Sequence, residues 1–389
     1  MMWTLSKLLM CVCIWKITQC QGQGWVIKDH GCRTPDRDIG DCRPIMQCEP
    51  ITNFMRTLLK RPLTKEVISY LNSHTCSYES SQVWVCCPPG PISFREKGDS
   101  DYANAEPPDV SQHRNYHLLP EECGYLDAGD RIRGGVNAKL NEFPWMALLS
   151  YKTERGPDFR CGGTIINERY ILTAGHCLHN LNYPLLGVRV GEYNIQTKID
   201  CELTRKNEQK CSEPVQDLVI EEILVHPGFN GTVIQNDIGL LRVSRMNLTV
   251  ANVRPVCLPV DTARGTDLNG KQIIVTGWGA DATGHTSMIL QKVELPIVDL
   301  TECQNIYKAE NRAKISIKQL CAGGRNRKDS CRGDSGGPMQ TAAYINGDTR
   351  YVQQGVVSFG PAYCGLEGYP GVYTRVEFYM DWVLDIMKP

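Results

Sequence analysis

The sequence predicts an all-β fold that ends in one helix and is preceded by a small disulfide-stapled domain. From Ile132 onward, short apolar runs such as 188–190 and 273–279 are broken by glycine, proline and asparagine, which is typical of strands joined by turns. Apolar residues recur at helical spacing only in 376–387, and we expect that helix to pack against the strands. Its apolar face consists of Val376, Tyr379, Met380, Val383 and Ile386. With 389 residues, the chain is too long for one ordinary domain.

The first 20 residues resemble a secretory signal peptide. Lys7 precedes an apolar run at 8–15, and Thr18 and Cys20 are small residues at the two positions that a signal peptidase reads. We place the cut after Cys20. A membrane anchor is the alternative, but a run of roughly eight apolar residues does not cross a bilayer that needs about 20.

Cysteine usage and charge indicate a secreted protein that acts on proteins. Three of the 19 cysteines, Cys11, Cys13 and Cys20, lie in the signal peptide, which leaves 16 and permits eight bridges in an oxidising compartment. A net charge of −1 provides no global field for attracting nucleic acid or anionic lipid, so we expect protein partners and no nucleic acid. Asn230 and Asn247 begin Asn-x-Thr glycosylation patterns, and no zinc-ligand spacing occurs.

The N-terminal cysteine cluster predicts a small domain over 31–88. Its members are Cys32, Cys42, Cys48, Cys76, Cys86 and Cys87. So small a domain builds little apolar core, and three bridges are the expected stabilisation. Six cysteines allow 15 pairings, which spacing leaves open. Adjacent cysteines direct their side chains differently, which suits bridges to two partners. The polar, proline-rich stretch 89–131 predicts a linker with an activation segment.

Three separated segments together form a nucleophilic constellation. His176 lies in Thr-Ala-Gly-His-Cys, Asp237 in Asn-Asp-Ile-Gly-Leu-Leu and Ser335 in Gly-Asp-Ser-Gly-Gly-Pro. A serine hydroxyl is a weak nucleophile at neutral pH, so it needs an imidazole to accept its proton and a buried carboxylate to orient that imidazole. Glycines around the serine let the backbone N–H groups of Gly333 and Ser335 point at one oxyanion.

These segments resemble those of the chymotrypsin and trypsin family of serine proteases. The resemblance covers 132–389 and implies a trypsin-like double antiparallel β-barrel with a C-terminal helix. The spacing of Cys42 and Cys48, with the terminal pair Cys86 and Cys87, resembles the clip domain of arthropod proteases. The whole chain is therefore similar to clip-domain serine proteases of the easter and prophenoloxidase-activating type.

The resemblance also implies a specificity pocket for basic side chains. Asp329 lies six residues before Ser335, at the position of the pocket floor. A buried carboxylate is costly without a cation, so it selects arginine or lysine before the scissile bond. Gly360 and Gly371 match the wall glycines that leave the pocket open, and Phe359 replaces the more usual tryptophan.

Activation by proteolysis is a further implication of the resemblance. Cleavage between Arg131 and Ile132 would free an α-amino group with a pKa of about 8, able to pair as a cation with Asp334 and so to order the N–H of Gly333. Arg133 departs from the usual apolar residue and offers a competing cleavage site. The N-terminus made there is a glycine, without a side chain to pack behind the ammonium group.

The cysteine pairing implied by the resemblance uses all 16 remaining cysteines. In the clip domain the pairs are Cys32–Cys86, Cys42–Cys76 and Cys48–Cys87. In the protease domain they are Cys161–Cys177, Cys303–Cys321 and Cys331–Cys364, with Cys123–Cys257 joining the two sides of the activation site. The pair Cys201–Cys211 is additional to the common trypsin set and resembles a staple of the easter and prophenoloxidase-activating types.

The loop that contains the additional cysteine pair raises the question of a structural calcium ion. It offers oxygen ligands of the kind that Ca²⁺ prefers, from Glu192, Asn194, Thr197 and Asp200. A solvated acidic loop is the alternative, because Lys198 interrupts the acidic run. We expect no cofactor for catalysis.

Together these features predict the zymogen of a secreted endopeptidase that cleaves after arginine or lysine in a haemolymph immune cascade. The expected substrates are prophenoloxidase, in melanisation, or a Spätzle-like precursor, in Toll signalling. An upstream clip or modular protease is the expected activator and a serpin the expected inhibitor. The alternatives are a haemolymph coagulation protease and a catalytically silent clip-domain adaptor. The adaptor is disfavoured because His176, Asp237 and Ser335 are all present.

Overall fold

The computed structural model of the chain divides into two compact units, Met1–Lys97 and Gly98–Pro389. It describes residues 32–34, 39–58, 70–79, 82–92, 106–125, 136–203, 206–261, 267–280, 286–308, 313–325, 330–345, 347–361 and 363–389. The predicted signal peptide, Arg131, Ile132, Arg133 and Asp329 lie outside these residues. Within them, no helix is both long enough and apolar enough to cross a membrane.

The described residues of the first unit include a four-stranded antiparallel sheet and a helix of ten residues. Its strands are β1 (Cys32–Arg33), β2 (Ile39–Pro44), β3 (Thr75–Glu79) and β4 (Gln82–Cys87), in the spatial order β1-β2-β4-β3. A 3₁₀ turn at Ile45–Gln47 leads into helix α1 (Glu49–Leu58). Glu49 and Pro50 suit the first turn, where a carboxylate meets the positive end of the helix dipole and a missing N–H costs nothing.

Disulfides replace most of the apolar core in this unit. Among the residues described in this unit, the buried apolar cluster consists of Cys48, Ile51, Val85 and Cys87. The bonds join Cys32 to Cys86, Cys42 to Cys76 and Cys48 to Cys87, which are the pairs that the family resemblance implies. Successive side chains of β4 point to opposite faces, so its last two residues reach different partners.

The second unit contains two seven-stranded antiparallel sheets and a short hairpin. Its strands are β5 (Val136–Asn137), β6 (Met146–Thr153), β7 (Gly156–Asn167), β8 (Tyr170–Thr173), β9 (Leu185–Val190), β10 (Cys201–Leu203), β11 (Gln209–Cys211), β12 (Gln216–Leu218), β13 (Ile220–Val225), β14 (Gly239–Val243), β15 (Gln272–Gly277), β16 (Gln291–Val298), β17 (Gln319–Ala322), β18 (Pro338–Ile345), β19 (Asp348–Phe359) and β20 (Gly371–Arg375). The first sheet has the order β12-β9-β6-β7-β8-β14-β13, and the second β15-β18-β19-β20-β17-β16-β5. Strand β15 also pairs with β16, so the second sheet closes on itself as a barrel.

Apolar side chains fill the inside of both sheets. Trp145 and Tyr170 are fully buried in the cluster that the first sheet surrounds, while Ile273, Leu295 and Tyr373 are fully buried in the cluster of the second. The two apolar runs singled out in the sequence lie in β9 and β15, as the strand pattern predicts. Helix α2 (Leu300–Lys308) packs over a third, smaller cluster.

The C-terminal apolar face is buried, as its periodicity predicts, but its first turn is tighter than an α-helix. Val376–Tyr379 winds as a 3₁₀ turn, and helix α3 (Met380–Ile386) follows. Val376, Tyr379 and Met380 are at most 1% exposed and belong to the main core. The helix therefore packs against the strands.

Residues 106–125, which we call the strap, lie within the predicted linker and activation segment 89–131 and pack against the protease unit. Val110 is buried in the protease core, and the side-chain amide of Asn115 donates to the carbonyls of Leu384 and Met387 at 2.8 and 3.0 Å. These bonds satisfy carbonyls at the end of α3 that have no intrahelical partner. The segment escaped prediction because it packs as an irregular chain, so its few apolar anchors have no period.

The strap ends at a disulfide between Cys123 and Cys257. Four further bonds lie within the protease unit, and all five are the pairs that the resemblance implies: Cys161–Cys177, Cys201–Cys211, Cys303–Cys321 and Cys331–Cys364.

Candidate active site

A histidine and a buried aspartate meet beside the paired strands β8 and β14 of the first sheet. His176 lies in a 3₁₀ turn, Gly175–Cys177, directly after β8, and Asp237 lies two residues before β14. Nδ1 of His176 is 2.8 Å from one carboxylate oxygen of Asp237, and the backbone N–H of His176 donates to the other oxygen, also at 2.8 Å. Because Nδ1 is engaged by the carboxylate, Nε2 is the ring nitrogen left for a substrate.

Further hydrogen bonds hold the aspartate in place. The hydroxyl of Ser358 donates to its carboxylate, and the hydroxyl of Thr374 donates to its backbone carbonyl at 2.7 Å. Burial alone would raise the pKa of Asp237, but the charge of His176 and the hydrogen bonds from His176 and Ser358 to the carboxylate lower it overall. Burial alone would lower the pKa of His176, but the charge and hydrogen bond of Asp237 outweigh burial and raise that pKa.

Ser335 lies on a tight turn three residues before β18, and this turn requires glycine at the next position. Gly336 has a φ of +81°, and a Cβ there would lie 2.5 Å from the carbonyl oxygen of Gly162. The N–H of Gly162 donates to the carbonyl of Ser335 at 2.8 Å. The Sγ of Cys177 is 3.7 Å from that same carbonyl oxygen and 3.7 Å from Nε2 of His176. The fold therefore brings His176, Asp237 and Ser335 together from three distant segments.

Two backbone donors lie next to the serine. Among the residues that the structure describes, the N–H groups of Gly333 and Ser335 donate to no acceptor, whereas the N–H of Gly336 donates to Val357. Unpaired N–H groups beside a nucleophile are what stabilisation of an oxyanion requires.

The neighbouring specificity pocket is described in part. Among the residues that the sequence assigns to it, Cys331 is bonded to Cys364, and a Cβ on Gly360 would lie 3.8 Å from the Cα of Gly371, in ordinary contact. Phe359 packs edge-on against Tyr307 at 5.7 Å, which supports the strand carrying Gly360. Asp329, the expected floor, lies outside the described residues.

Sequence reasoning did not single out two polar residues whose hydroxyls meet next to the position of Asp329. The hydroxyls of Ser330 and Tyr373 lie 3.0 Å apart. The sequence signal for Ser330 was its place beside Asp329. Tyr373 carried no signal, because strand periodicity alone assigns it to the core.

Asp334, beside the nucleophile, is held by backbone donors alone. Its two carboxylate oxygens accept hydrogen bonds from the N–H of Gly279 at 2.8 Å and of Cys331 at 2.9 Å. Gly279 is required here, because a Cβ on it would lie 2.5 Å from both oxygens. Burial raises the pKa of Asp334 to about 6, although the two hydrogen bonds act to lower that pKa. Among the described residues, no cationic side chain pairs with it.

The four candidate calcium ligands lie in one loop and partly bind each other. Asp200 accepts hydrogen bonds from the hydroxyl of Thr197 and from the backbone N–H of Asn194. The N–H of Tyr193 is shared at 3.0 Å by carboxylate oxygens of Glu192 and Asp200, so the two buried carboxylates lie close together.

Only one cation balances these carboxylates at hydrogen-bonding range within the described residues. It is Arg189, 3.4 Å from Glu192 and also bound to Asp217. Burial and the charge of Asp200 raise the pKa of Glu192. A divalent cation would relieve this repulsion, so the donor set fits calcium in chemical type.

A second group of side chains with potential metal-ligand atoms cannot form a metal site. Cys161, His176 and Cys177 bring ligand atoms within 4.8 Å of one another. The two cysteines are joined as a disulfide, so neither is available as the thiolate that a metal would need.

Comparison with known proteins agrees with this site. Residues 132–383 match the family described as Trypsin, and residues 32–87 match the Regulatory CLIP domain of proteinases. Melanization protease 1 of Drosophila melanogaster is 36% identical over 371 residues, which cover 90% of this chain and 92% of that protein. Phenoloxidase-activating enzyme 1 of Spodoptera litura is 36% identical over 367 residues, with 90% and 92% covered.

A solved structure extends the similarity to both domains. The Drosophila Grass clip serine protease of the Toll pathway superimposes with a TM-score of 0.64 at 33% identity, covering 92% of this chain and 97% of that one. The chain is therefore a serine endopeptidase of the trypsin family. More particularly, it belongs to the insect clip-domain serine proteases, whose members include melanization and phenoloxidase-activating proteases.

Proposed function

We propose that this protein is the secreted zymogen of an endopeptidase that cleaves after arginine or lysine in an extracellular innate-immune cascade. The observation that carries the proposal is the pairing of His176 with buried Asp237 next to Ser335, in a chain that also has a clip domain. The cysteine content supports secretion, because eight disulfides form and persist in an oxidising compartment.

Catalysis would proceed through a covalent acyl-enzyme. Nε2 of His176 takes the proton of the Ser335 hydroxyl as that oxygen attacks the scissile carbonyl, and later gives the proton to the leaving amine. Asp237 keeps Nδ1 protonated and stabilises the imidazolium that forms. The N–H groups of Gly333 and Ser335 bind the oxyanion, so charge is stabilised where it develops.

Specificity for arginine and lysine would come from Asp329. Its carboxylate at the pocket floor pairs with the incoming cation, and Gly360 and Gly371 leave room for the long side chain. The hydroxyls of Ser330 and Tyr373, which lie 3.0 Å apart, would add polar atoms next to this carboxylate. Arginine gains most, because its guanidinium binds a carboxylate through two parallel hydrogen bonds.

Activation would require a cut between Arg131 and Ile132. The new α-ammonium group would pair with Asp334. Burial raises the pKa of this carboxyl group and no cationic side chain among the described residues pairs with it, so the added charge would stabilise its ionised form. Because Asp334 directly precedes Ser335, its position controls the turn that carries the N–H of Gly333. A cut after Arg133 would give an N-terminus two residues shorter and without an isoleucine side chain.

The cascade assignment names protein partners. The substrates would be prophenoloxidase or a Spätzle-like precursor, the activator an upstream clip or modular protease and the inhibitor a serpin. The relatives support this class of role, since their names refer to melanization, phenoloxidase activation and the Toll pathway. A haemolymph coagulation protease is the alternative within the same chemistry.

A bound calcium ion also belongs to the proposal. Glu192 and Asp200, with oxygens of Asn194 and Thr197, would hold a calcium ion that stabilises the loop and takes no part in catalysis. Calcium should raise the melting temperature, and Glu192→Gln should abolish that shift.

Asn230 and Asn247 would carry glycans. In both acceptor sequences the asparagine side-chain oxygen already accepts the threonine N–H at 3.0 Å, and the amide nitrogen is the atom that would carry the glycan.

The function is tested on protein cut after Arg131. It should hydrolyse arginine amides, and Ser335→Ala should reduce kcat by about 10⁴-fold or more because the nucleophile is gone. Asp329→Ser should lose the preference for arginine over neutral residues while keeping the triad. Incubation with prophenoloxidase and with Spätzle precursor, followed by sequencing of new N-termini, identifies the substrate. If neither protein is cleaved, the cascade role is contradicted. Turnover by Ser335→Ala would contradict the mechanism.

A further inference from the structure

A guanidinium group borders the active site next to the histidine. Arg160 lies in β7 directly before Cys161, which is bonded to Cys177 beside His176. The Sγ of Cys177 is 3.7 Å from Nε2 of His176. The residue before this disulfide therefore lies close to the nitrogen that exchanges protons with the substrate.

The backbone at Arg160 is a β-bulge. Leu149 of β6 lies opposite Cys161, and Ser150 lies opposite Phe159, so no residue of β6 lies opposite Arg160. A bulge redirects one side chain and is common beside active sites. Two residues further along β7, the N–H of Gly162 donates to the carbonyl of Ser335 at 2.8 Å, which ties this strand to the nucleophile.

The guanidinium group of Arg160 is held in place and retains unused hydrogen-bond donors. Arg160 stacks on the ring of Tyr183, 4.3 Å from its centroid, and its Nε donates to a carboxylate oxygen of Asp158 at 3.1 Å. The side chain remains 46% exposed. Among the described residues, only Nε of this guanidinium donates to a carboxylate. Both terminal nitrogens can therefore donate to a second carboxylate.

The direction of the substrate follows from the two disulfides beside Ser335. Cys331–Cys364 lies two residues after Asp329, the floor of the proposed specificity pocket, which would receive the residue before the scissile bond. Cys161–Cys177 lies next to Nε2 of His176, which protonates the departing amine. The chain that follows the scissile bond therefore leaves past the second disulfide and towards Arg160.

We propose that Arg160, stacked on Tyr183, forms an anion subsite that selects aspartate or glutamate within the first three residues after the scissile bond. Three extended residues span about 10 Å. A planar guanidinium with two free terminal nitrogens suits a carboxylate through paired hydrogen bonds. Asp158 competes for the same group and moderates the selection. The inference rests on the proposed roles of His176 and Ser335.

The test uses quenched fluorescent peptides with one arginine before the cut and aspartate, asparagine or lysine placed in turn at each of the next three positions. Wild-type enzyme should cleave the best aspartate peptide about three- to tenfold faster, in kcat/KM, than its asparagine counterpart, and high salt should reduce this ratio. Arg160→Gln should bring the ratio to one. Arg160→Glu should favour lysine, and Asp158→Asn should raise the aspartate ratio because the competing carboxylate is gone.

Ratios within one variant do not depend on how much enzyme is folded, which keeps the comparison valid if a variant is less stable. Arg155→Gln is the matched control, since Arg155 is an exposed arginine in the turn between β6 and β7 and should leave the ratio unchanged. Equal cleavage of aspartate and asparagine peptides by the wild type, or an unchanged ratio in Arg160→Gln, would overturn the subsite alone. Failure to cleave after arginine in any peptide would overturn the proposed function, and the subsite with it.

Discussion

Two buried carboxylates beside Ser335 have pKa values shifted in opposite directions. Asp237 has a lowered pKa, because His176 and several hydrogen-bond donors favour its charged form over the effect of burial. Asp334 has a pKa raised to about 6, because two backbone donors do not compensate for its burial. The first carboxylate is therefore ready to stabilise an imidazolium, while the second would gain from a cation.

The pH dependence of activity tests the role of Asp237. Activity needs neutral His176, so kcat/KM should fall as the pH drops through the raised pKa of that histidine. Asp237→Asn removes the charge that raises it, so the half-point of this fall should move to lower pH. The rate itself should drop by about 10⁴-fold, as for the same change in chymotrypsin-type enzymes. A pH profile of the variant that is identical to the wild type would contradict the assignment.

Activation should change how the ionisation of Asp334 affects the stability of the folded protein. Its pKa of about 6 exceeds the ordinary 3.8, so the folded uncleaved protein binds more protons than the unfolded chain, and the free energy of unfolding falls as the pH rises between these values. Pairing with the Ile132 ammonium group removes this loss. Calorimetry near pH 7 should give a higher melting temperature for the cleaved protein.

That gain has a predicted upper pH limit and a control. It should disappear as the pH rises through the pKa of the ammonium group, which pairing raises above its ordinary value of about 8. Asp334→Asn should remove the difference between the cleaved and uncleaved proteins. A melting temperature that cleavage leaves unchanged in the wild type would contradict the ion pair.

At the scale of elements, the strap has the clearest structural consequence. It covers the end of α3 with hydrogen bonds from Asn115 and inserts Val110 into the core before reaching Cys123. The light chain made by activation would therefore be held by packing as well as by its disulfide.

Size-exclusion chromatography can separate the two contributions. With both Cys123 and Cys257 changed to serine, the chains cut after Arg131 should still elute together in native buffer. Adding Val110→Asp and Asn115→Ala should release the light chain, because one variant buries a charge and the other removes two hydrogen bonds. Ser111→Ala, at an exposed strap position, is the control and should release nothing. Separation of the chains in the disulfide-free protein without strap changes would contradict this role.

The elements that sequence reasoning predicted are those with a period or a motif. The C-terminal helix and the strands around 188–190 and 273–279 follow from apolar spacing, and the site segments follow from their residue types. The strap and the bulge at Arg160 have neither signal, because one packs irregularly and the other depends on strand register. Gly279 was missed as a companion of Asp334, since that approach is made by tertiary structure.

On the scale of the whole molecule, activation should cut the chain without separating its parts. Cys123 lies before Arg131 and Cys257 after it, and the two are bonded. Cleavage would leave a light chain of 111 residues, 21–131, joined to a heavy chain of 258, 132–389. The clip domain would stay tethered to the protease and raise the local concentration of any substrate or cofactor that it binds.

A denaturing gel tests this architecture. Activated protein should run as one species without reductant and as two with it, and the larger chain should begin Ile-Arg-Gly-Gly. Two species without reductant would disprove the bridge. A larger chain that begins Gly-Gly would move the activation site to Arg133.

Covalent labelling with an arginine-type phosphonate ester tests the central claim, that cleavage after Arg131 switches on a nucleophile at Ser335, most directly. Peptide mapping of protein before and after the cut should find the label on Ser335 only after cleavage, and His176→Ala should lose it because the serine then has no base. Asp329→Ser should label poorly with this reagent. Equal labelling of Ser335 in the uncleaved chain, or labelling of another residue, would contradict the account.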